Sequence, residues 1–94
     1  MYAEKETVRN ASGLHARPAS EFVQTAKKFQ SKIKIRNLSA AGAMPVNAKS
    51  ITMLLSQGIS MNSEVEITAE GADEQDAVRA LTELIRQGCG EALC

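Results

Sequence analysis

Aromatic side chains are nearly missing from this 94-residue sequence, which has no tryptophan, one tyrosine (Tyr2) and two phenylalanines (Phe22 and Phe29). So sparse a set does not build the stacking platform on which single-stranded nucleic acid is held. No charge of one sign is in excess either, with 11 Lys and Arg against 11 Asp and Glu. A nucleic-acid module would carry a concentrated basic face, so direct nucleic-acid binding is not expected. Apolar runs are short. Met53-Leu54-Leu55 is typical, far below the roughly 20 residues that span a bilayer, so no membrane insertion is expected. The charged opening MYAEKET lacks the apolar segment of a secretory signal, which makes the cytoplasm the expected location. Cysteine is confined to Cys89 and Cys94, beside Gly88 and Gly90, with no histidine nearby. That excludes a zinc site of the usual kind and reads as reduced thiols on a mobile tail of about six residues.

What is present fits one small domain over residues 1–94, large enough to fold without metal or disulfide. The clearest element is the last helix. Asp73 stands at its start as a cap, Glu74 and Asp76 put negative charge in its first turn, and Ala77, Val78, Leu81, Leu84 and Ile85 form one apolar stripe. Arg79 and Arg86 fall toward solvent or the C-terminal end, and Gly88 and Gly90 stop the run. An earlier helix follows from Ala19, Phe22, Val23, Ala26 and Phe29 at helical spacing, with Lys27 and Lys28 at its negative pole.

Between them KIKIRNL (32–38) alternates with Ile33, Ile35 and Asn37 on one face, and SEVEITAE (63–70) with Val65, Ile67 and Ala69 inward. AMPVNA (43–48) is a short strand that Pro45 assigns to an edge. EKETVRN is a weaker first strand whose one strong β residue is Val8. KSITMLLSQG (49–58) reads as a short helix with Ile51, Leu54 and Leu55 apolar and Gly58 as its stop. The order is β-α-β-β-α-β-α, an α+β domain with one mainly antiparallel four-stranded sheet and three helices on one face.

The chain holds a single histidine, within SGLHARPAS (12–20). A neutral imidazole nitrogen is a nucleophile near pH 7. His15 directly precedes a first helical turn of Ala16, Arg17 and Pro18, where proline is tolerated because the first N–H groups have no partner in the helix. Those N–H groups and the positive helix pole favour an anion, above all a phosphoryl group, and Arg17 adds a guanidinium suited to phosphate oxygens. Gly13 lets the chain turn before the histidine. The set points to a phosphoryl acceptor that needs no cofactor, although an ordinary cap beside a surface arginine has the same local pattern. No carboxylate or serine pairs with His15 in sequence, so a hydrolytic triad is not supported.

GLHARPAS resembles the active-site signature of HPr, the histidine-containing phosphocarrier family of the sugar phosphotransferase system. FVQTAKKF, VNAKSI and ITAEGADEQDAV are similar to HPr at matching spacing, so the resemblance covers residues 4 to 88. It implies the open-faced β-sandwich of four strands and three helices. It also implies that His15 takes a phosphoryl group from phospho-enzyme I and passes it to IIA domains of sugar permeases, with Arg17 adjusting to the phosphorylated state. Such a protein is a substrate and carrier, acting as a monomer, and not a catalyst. Ser50, in NAKSI, matches the regulatory serine that HPr kinase/phosphorylase modifies in many Gram-positive bacteria, the product serving as corepressor for a catabolite-control repressor. A serine at a helix start is also an ordinary cap, and both readings stand.

Leu14, Ile51, Thr52, Leu54 and Leu55 are the expected docking patch, since a helix this short cannot turn every apolar residue inward, although a core position fits Ile51 and Leu54 equally well. Three departures from the family pattern stand out. Thr52 and Met53 replace commoner residues and bear on partner preference, the turn from Asn37 to Val46 is longer than usual, and Glu6 in the first strand predicts weak anchoring. Two rival readings remain: a paralogue with a regulatory or nitrogen-related role, and a small βαβ interaction domain without covalent chemistry.

Overall fold

Alternation and helical spacing sort the chain into seven elements in the computed structural model, which describes residues 1–10 and 13–88. In order they are β1 (Tyr2–Thr7), α1 (Ala16–Ala26), β2 (Lys32–Asn37), β3 (Val46–Asn47), α2 (Ile51–Ser56), β4 (Glu64–Glu70) and α3 (Glu74–Arg86), the succession the sequence predicts. Cys89, Gly90, Cys94 and the expected tail lie outside the described residues.

The strands form one sheet in the order β1-β4-β2-β3, with every neighbouring pair antiparallel. In β2 and β4 the period of two separates the faces. Ile33, Ile35, Asn37, Val65, Ile67 and Ala69 are buried, while Lys32, Lys34, Glu64 and Glu70 are exposed. The helices cover the apolar face. α1 contributes Ala19, Phe22, Val23 and Ala26 to the core, and α3 contributes Ala77, Val78, Leu81 and Ile85, all buried. Burying one large aliphatic or aromatic side chain is worth about 1.5–3 kcal/mol, so these two stripes are the main attachment of helices to sheet. Leu84 and Phe29 pack at the margin of this core, half-buried.

Four expectations need correction. The first strand begins at Tyr2, and Val8 lies past its end as a core residue whose N–H donates to the Ser63 carbonyl. Glu6 does not weaken that strand: its Oε2 accepts from Nε and an Nη of Arg86 at 3.1 and 2.9 Å, tying β1 to the end of α3. Asp73 occupies the N-cap position of α3 without capping it. Its carboxylate accepts instead from the Gln30 and Ser31 N–H groups, both at 2.9 Å, and from the Ser31 hydroxyl. The third strand is at the sheet edge as Pro45 suggests, but only two residues long.

Candidate functional site

The loop entering α1 is held from below. Gly13 has φ +62, and a Cβ added there would stand 2.4 Å from the Ile59 carbonyl oxygen and 2.5 Å from Ser60 Cα. Only glycine combines that left-handed backbone with so close an approach. Asn10 braces the same turn: its carbonyl accepts from Gly13 N–H at 3.0 Å and its Nδ2 donates to the Gly13 carbonyl at 2.7 Å. The Leu14 N–H donates to the Ile59 carbonyl at 3.1 Å, and the Leu14 side chain is wholly buried. The chain thus surfaces at His15, half-buried, directly after two fixed residues.

His15 is the N-cap residue of α1, in extended conformation at φ −127 and ψ 164, and its side chain makes no capping bond. The first turn of α1 contains no acidic residue. Its first N–H groups therefore keep their partial positive charge for an outside anion. Arg17 is exposed at the second helical position and takes part in no ion pair among the described residues. Pro18, at the third position, is buried where its missing N–H breaks no helical hydrogen bond. Ala16, Arg17 and Pro18 thus form the first helical turn as the sequence predicts.

Ser50 caps α2: its Oγ accepts from the Met53 N–H at 3.3 Å, and its carbonyl from the Leu54 N–H at 2.9 Å. α2 packs against α1, and the loop that follows it carries Ile59, the partner of Leu14. Of the five residues expected to dock partners, Leu14 and Leu54 do not qualify. Both are 0% exposed, because Leu14 anchors the histidine loop and Leu54 is the buried residue of α2. Ile51 and Leu55 are each 41% exposed, and Thr52 is exposed as well. The structure adds Met53, 43% exposed, and exposed Met44 and Met61. Met53 was legible in principle, since one buried position in a six-residue helix leaves its neighbours outside. Met61 depends on how the chain returns from α2, which no local pattern encodes.

The fold and this site define a class: a small open-faced sheet whose one histidine stands at an uncapped helix mouth. The family described as "PTS HPr component phosphorylation site" matches residues 3–87. The chain belongs to the HPr family of the phosphotransferase system. A multiphosphoryl transfer protein of Vibrio cholerae is 43% identical over 84 residues, covering 89% of this chain and 21% of that protein. The chain spans about a fifth of the length of the curated relatives it matches. Among solved structures, HPr of Thermoanaerobacter tengcongensis superposes with a TM-score of 0.89 at 44% identity, covering 99% of this chain and 100% of that one. Crh, a catabolite repression protein of Bacillus subtilis, gives 0.70 at 40% identity over 94% of this chain and 97% of its own. No helix among the described residues is long and apolar enough to cross a membrane.

Proposed function

We propose that His15 is the phosphoryl acceptor, charged by phospho-enzyme I and discharged to IIA domains of sugar permeases. An imidazole nitrogen attacks phosphorus, the N–P bond forms, and the bond to the donor breaks with its electron pair leaving on the donor. The observation that carries this reading is the start of α1: His15 at the N-cap with no capping bond from its own side chain, and no carboxylate in the first turn, in a chain of the HPr family. The N–H groups of that turn and the Arg17 guanidinium then meet the phosphoryl oxygens. The protein is itself consumed and regenerated, a carrier and not a catalyst, working as a cytoplasmic monomer. Ile51, Thr52, Met53 and Leu55 form the apolar surface that partners cover.

Incubation with enzyme I and phosphoenolpyruvate is expected to add one acid-labile phosphate, and none to His15→Ala. Equal labelling of that variant overturns the assignment. Because His15 makes no capping bond, the variant should keep its stability within about 0.5 kcal/mol.

A second reading, regulation at Ser50, is supported by the likeness to the catabolite repression protein Crh. HPr kinase/phosphorylase and ATP would esterify the Ser50 hydroxyl, and the product would engage a catabolite-control repressor. An acid-stable phosphate, lost in Ser50→Ala, is the expected result.

A further inference from the structure

The sheet face turned away from the helices holds a second concentration of positive charge. Lys32, Lys34 and Arg36 project from the same side of β2, successive members about 7 Å apart along the strand. Arg36 approaches Glu66 at 3.7 Å, but Lys32, Lys34 and Lys49 enter no ion pair among the described residues. Lys34 stands opposite Asn47 in the register with β3. β3 ends at Asn47, and the Ala48 N–H still donates to the Ile33 carbonyl at 2.9 Å, so Lys49 follows directly after the last contact with β2.

A crevice of about 320 Å³ opens there, lined by Gln30, Ser31, Lys32, Ile33, Lys34, Asn47 and Lys49. Three lysines and no acidic residue line it, with the Asp73 carboxylate bonded to the lining residues Gln30 and Ser31, in a chain whose charges balance overall at 11 and 11. A neighbouring hollow of about 260 Å³, across the Lys32 and Lys34 ridge, includes Glu70 and so suits an anion less well.

The polar groups are partly fixed in advance. Lys49 Nζ donates to the Phe29 carbonyl at 2.7 Å, which fixes the side chain and, among the described residues, is its one hydrogen bond, so two of its three donors remain for a ligand. Asn47 Oδ1 accepts from the Lys49 N–H at 2.9 Å, which orients the Asn47 amide. The volume lies at the lower end of small-molecule sites.

We propose that this crevice binds a small polyanion carrying a phosphate monoester and a second anionic group, of the phosphorylated hydroxy-acid class. Lysine is a good point-charge partner for phosphate, and three lysines around one volume favour two anionic groups over one. The site shares no residue with the His15 loop or with α2, so it stands independently of the phosphoryl-acceptor reading.

Amide chemical shifts followed during addition of 3-phosphoglycerate at low salt test the idea. Saturable shifts are expected at residues 30–34 and 47–49, with glycerate and inorganic phosphate each binding more weakly than the joined molecule. The double variant Lys32→Gln/Lys34→Gln should bind about tenfold more weakly, and Lys5→Gln, outside the crevice on the same sheet face, as well as wild type. Phosphorylation of the double variant by enzyme I should be unaffected, which separates failure here from failure at His15. The proposal is overturned by non-saturable shifts, by shifts centred on residues 13–17, by an undiminished affinity in the double variant, or by binding to phosphatidic acid vesicles with the free molecule inert.

Discussion

At the mouth of α1 the chain reads Gly13-Leu14-His15, and at the mouth of α3 it reads Gly71-Ala72-Asp73. Both loops start from a glycine with positive φ, +62 and +153, pressed against another part of the chain. A Cβ on Gly71 would lie 2.6 Å from Ser31 Oγ, much as one on Gly13 would meet Ile59. Neither N-cap side chain makes a capping bond. The difference lies in what fills the positive end. α3 carries Glu74 and Asp76 in its first turn, and Glu74 reaches back to the Gly71 N–H at 3.3 Å and to the Met1 amino group at 3.1 Å. α1 has no acid in its first turn and has Arg17 instead. One helix pole is neutralised by the protein's own carboxylates, whereas the other has no carboxylate in its first turn. Two nearly identical loop plans thus differ in the charge they place at the helix start, acidic at α3 and basic at α1, and only the second suits the phosphate site proposed above.

The comparison can be broken most severely at its shared part. Gly13→Ala imposes a left-handed residue and a backbone clash together, and should cost about 2–4 kcal/mol in urea unfolding. A loss below about 1 kcal/mol would mean that the loop can move aside, and that His15 is less rigidly presented than the geometry indicates.

Next in size is making the first mouth resemble the second. Arg17→Glu places a carboxylate in the first turn of α1, where it should slow phosphorylation by enzyme I roughly tenfold or more, while the helix itself gains a few tenths of a kcal/mol. Arg17→Gln, measured beside it, separates loss of the guanidinium from the added repulsion. Equal rates for both variants would show that the added carboxylate does not repel the incoming phosphoryl group.

The opposite mouth is tested by pH. The Ser31 hydroxyl, then the Gln30 N–H, hold Asp73 below the ordinary carboxylate range, and the Met1 amino group does the same for Glu74. A carboxylate whose folded pKa is depressed stabilises the fold above its unfolded pKa and loses that contribution as pH falls through the folded value. Urea midpoints should therefore fall as pH drops below about 4. Asp73→Asn should lower the midpoint at pH 6 and flatten that fall; a parallel curve would remove Asp73 from the account.

The smallest effect belongs to α2, whose mouth Ser50 closes with its own hydroxyl. Ser50→Ala should cost about 0.5–1 kcal/mol, read from the same unfolding curves.

How much of this was legible in the sequence varies with the range of the interaction. The alternation of Ile33, Ile35, Val65, Ile67 and Ala69, and the stripes of α1 and α3, announce their buried faces because a strand or helix repeats its geometry within a few residues. His15, Arg17 and Pro18 were legible for the same reason, since a helix start is a local event. Leu14 was misread because it adjoins the candidate residue His15, and Leu54 because a six-residue helix is too short to define a stripe. Asp73 looked like a cap from its position alone, yet its carboxylate finds N–H groups 42 and 43 residues away.

By itself, then, the sequence determined the element order, the two sides of each strand and long helix, and the chemistry available at residue 15. Only the tertiary structure decided that Leu14 and Leu54 are core and that Glu6 ties β1 to Arg86, 80 residues on. It likewise brought Lys49 into one crevice with Lys32 and Lys34. Periodicity encodes which side of an element faces inward, but partners distant in sequence are set by how those sides pack together.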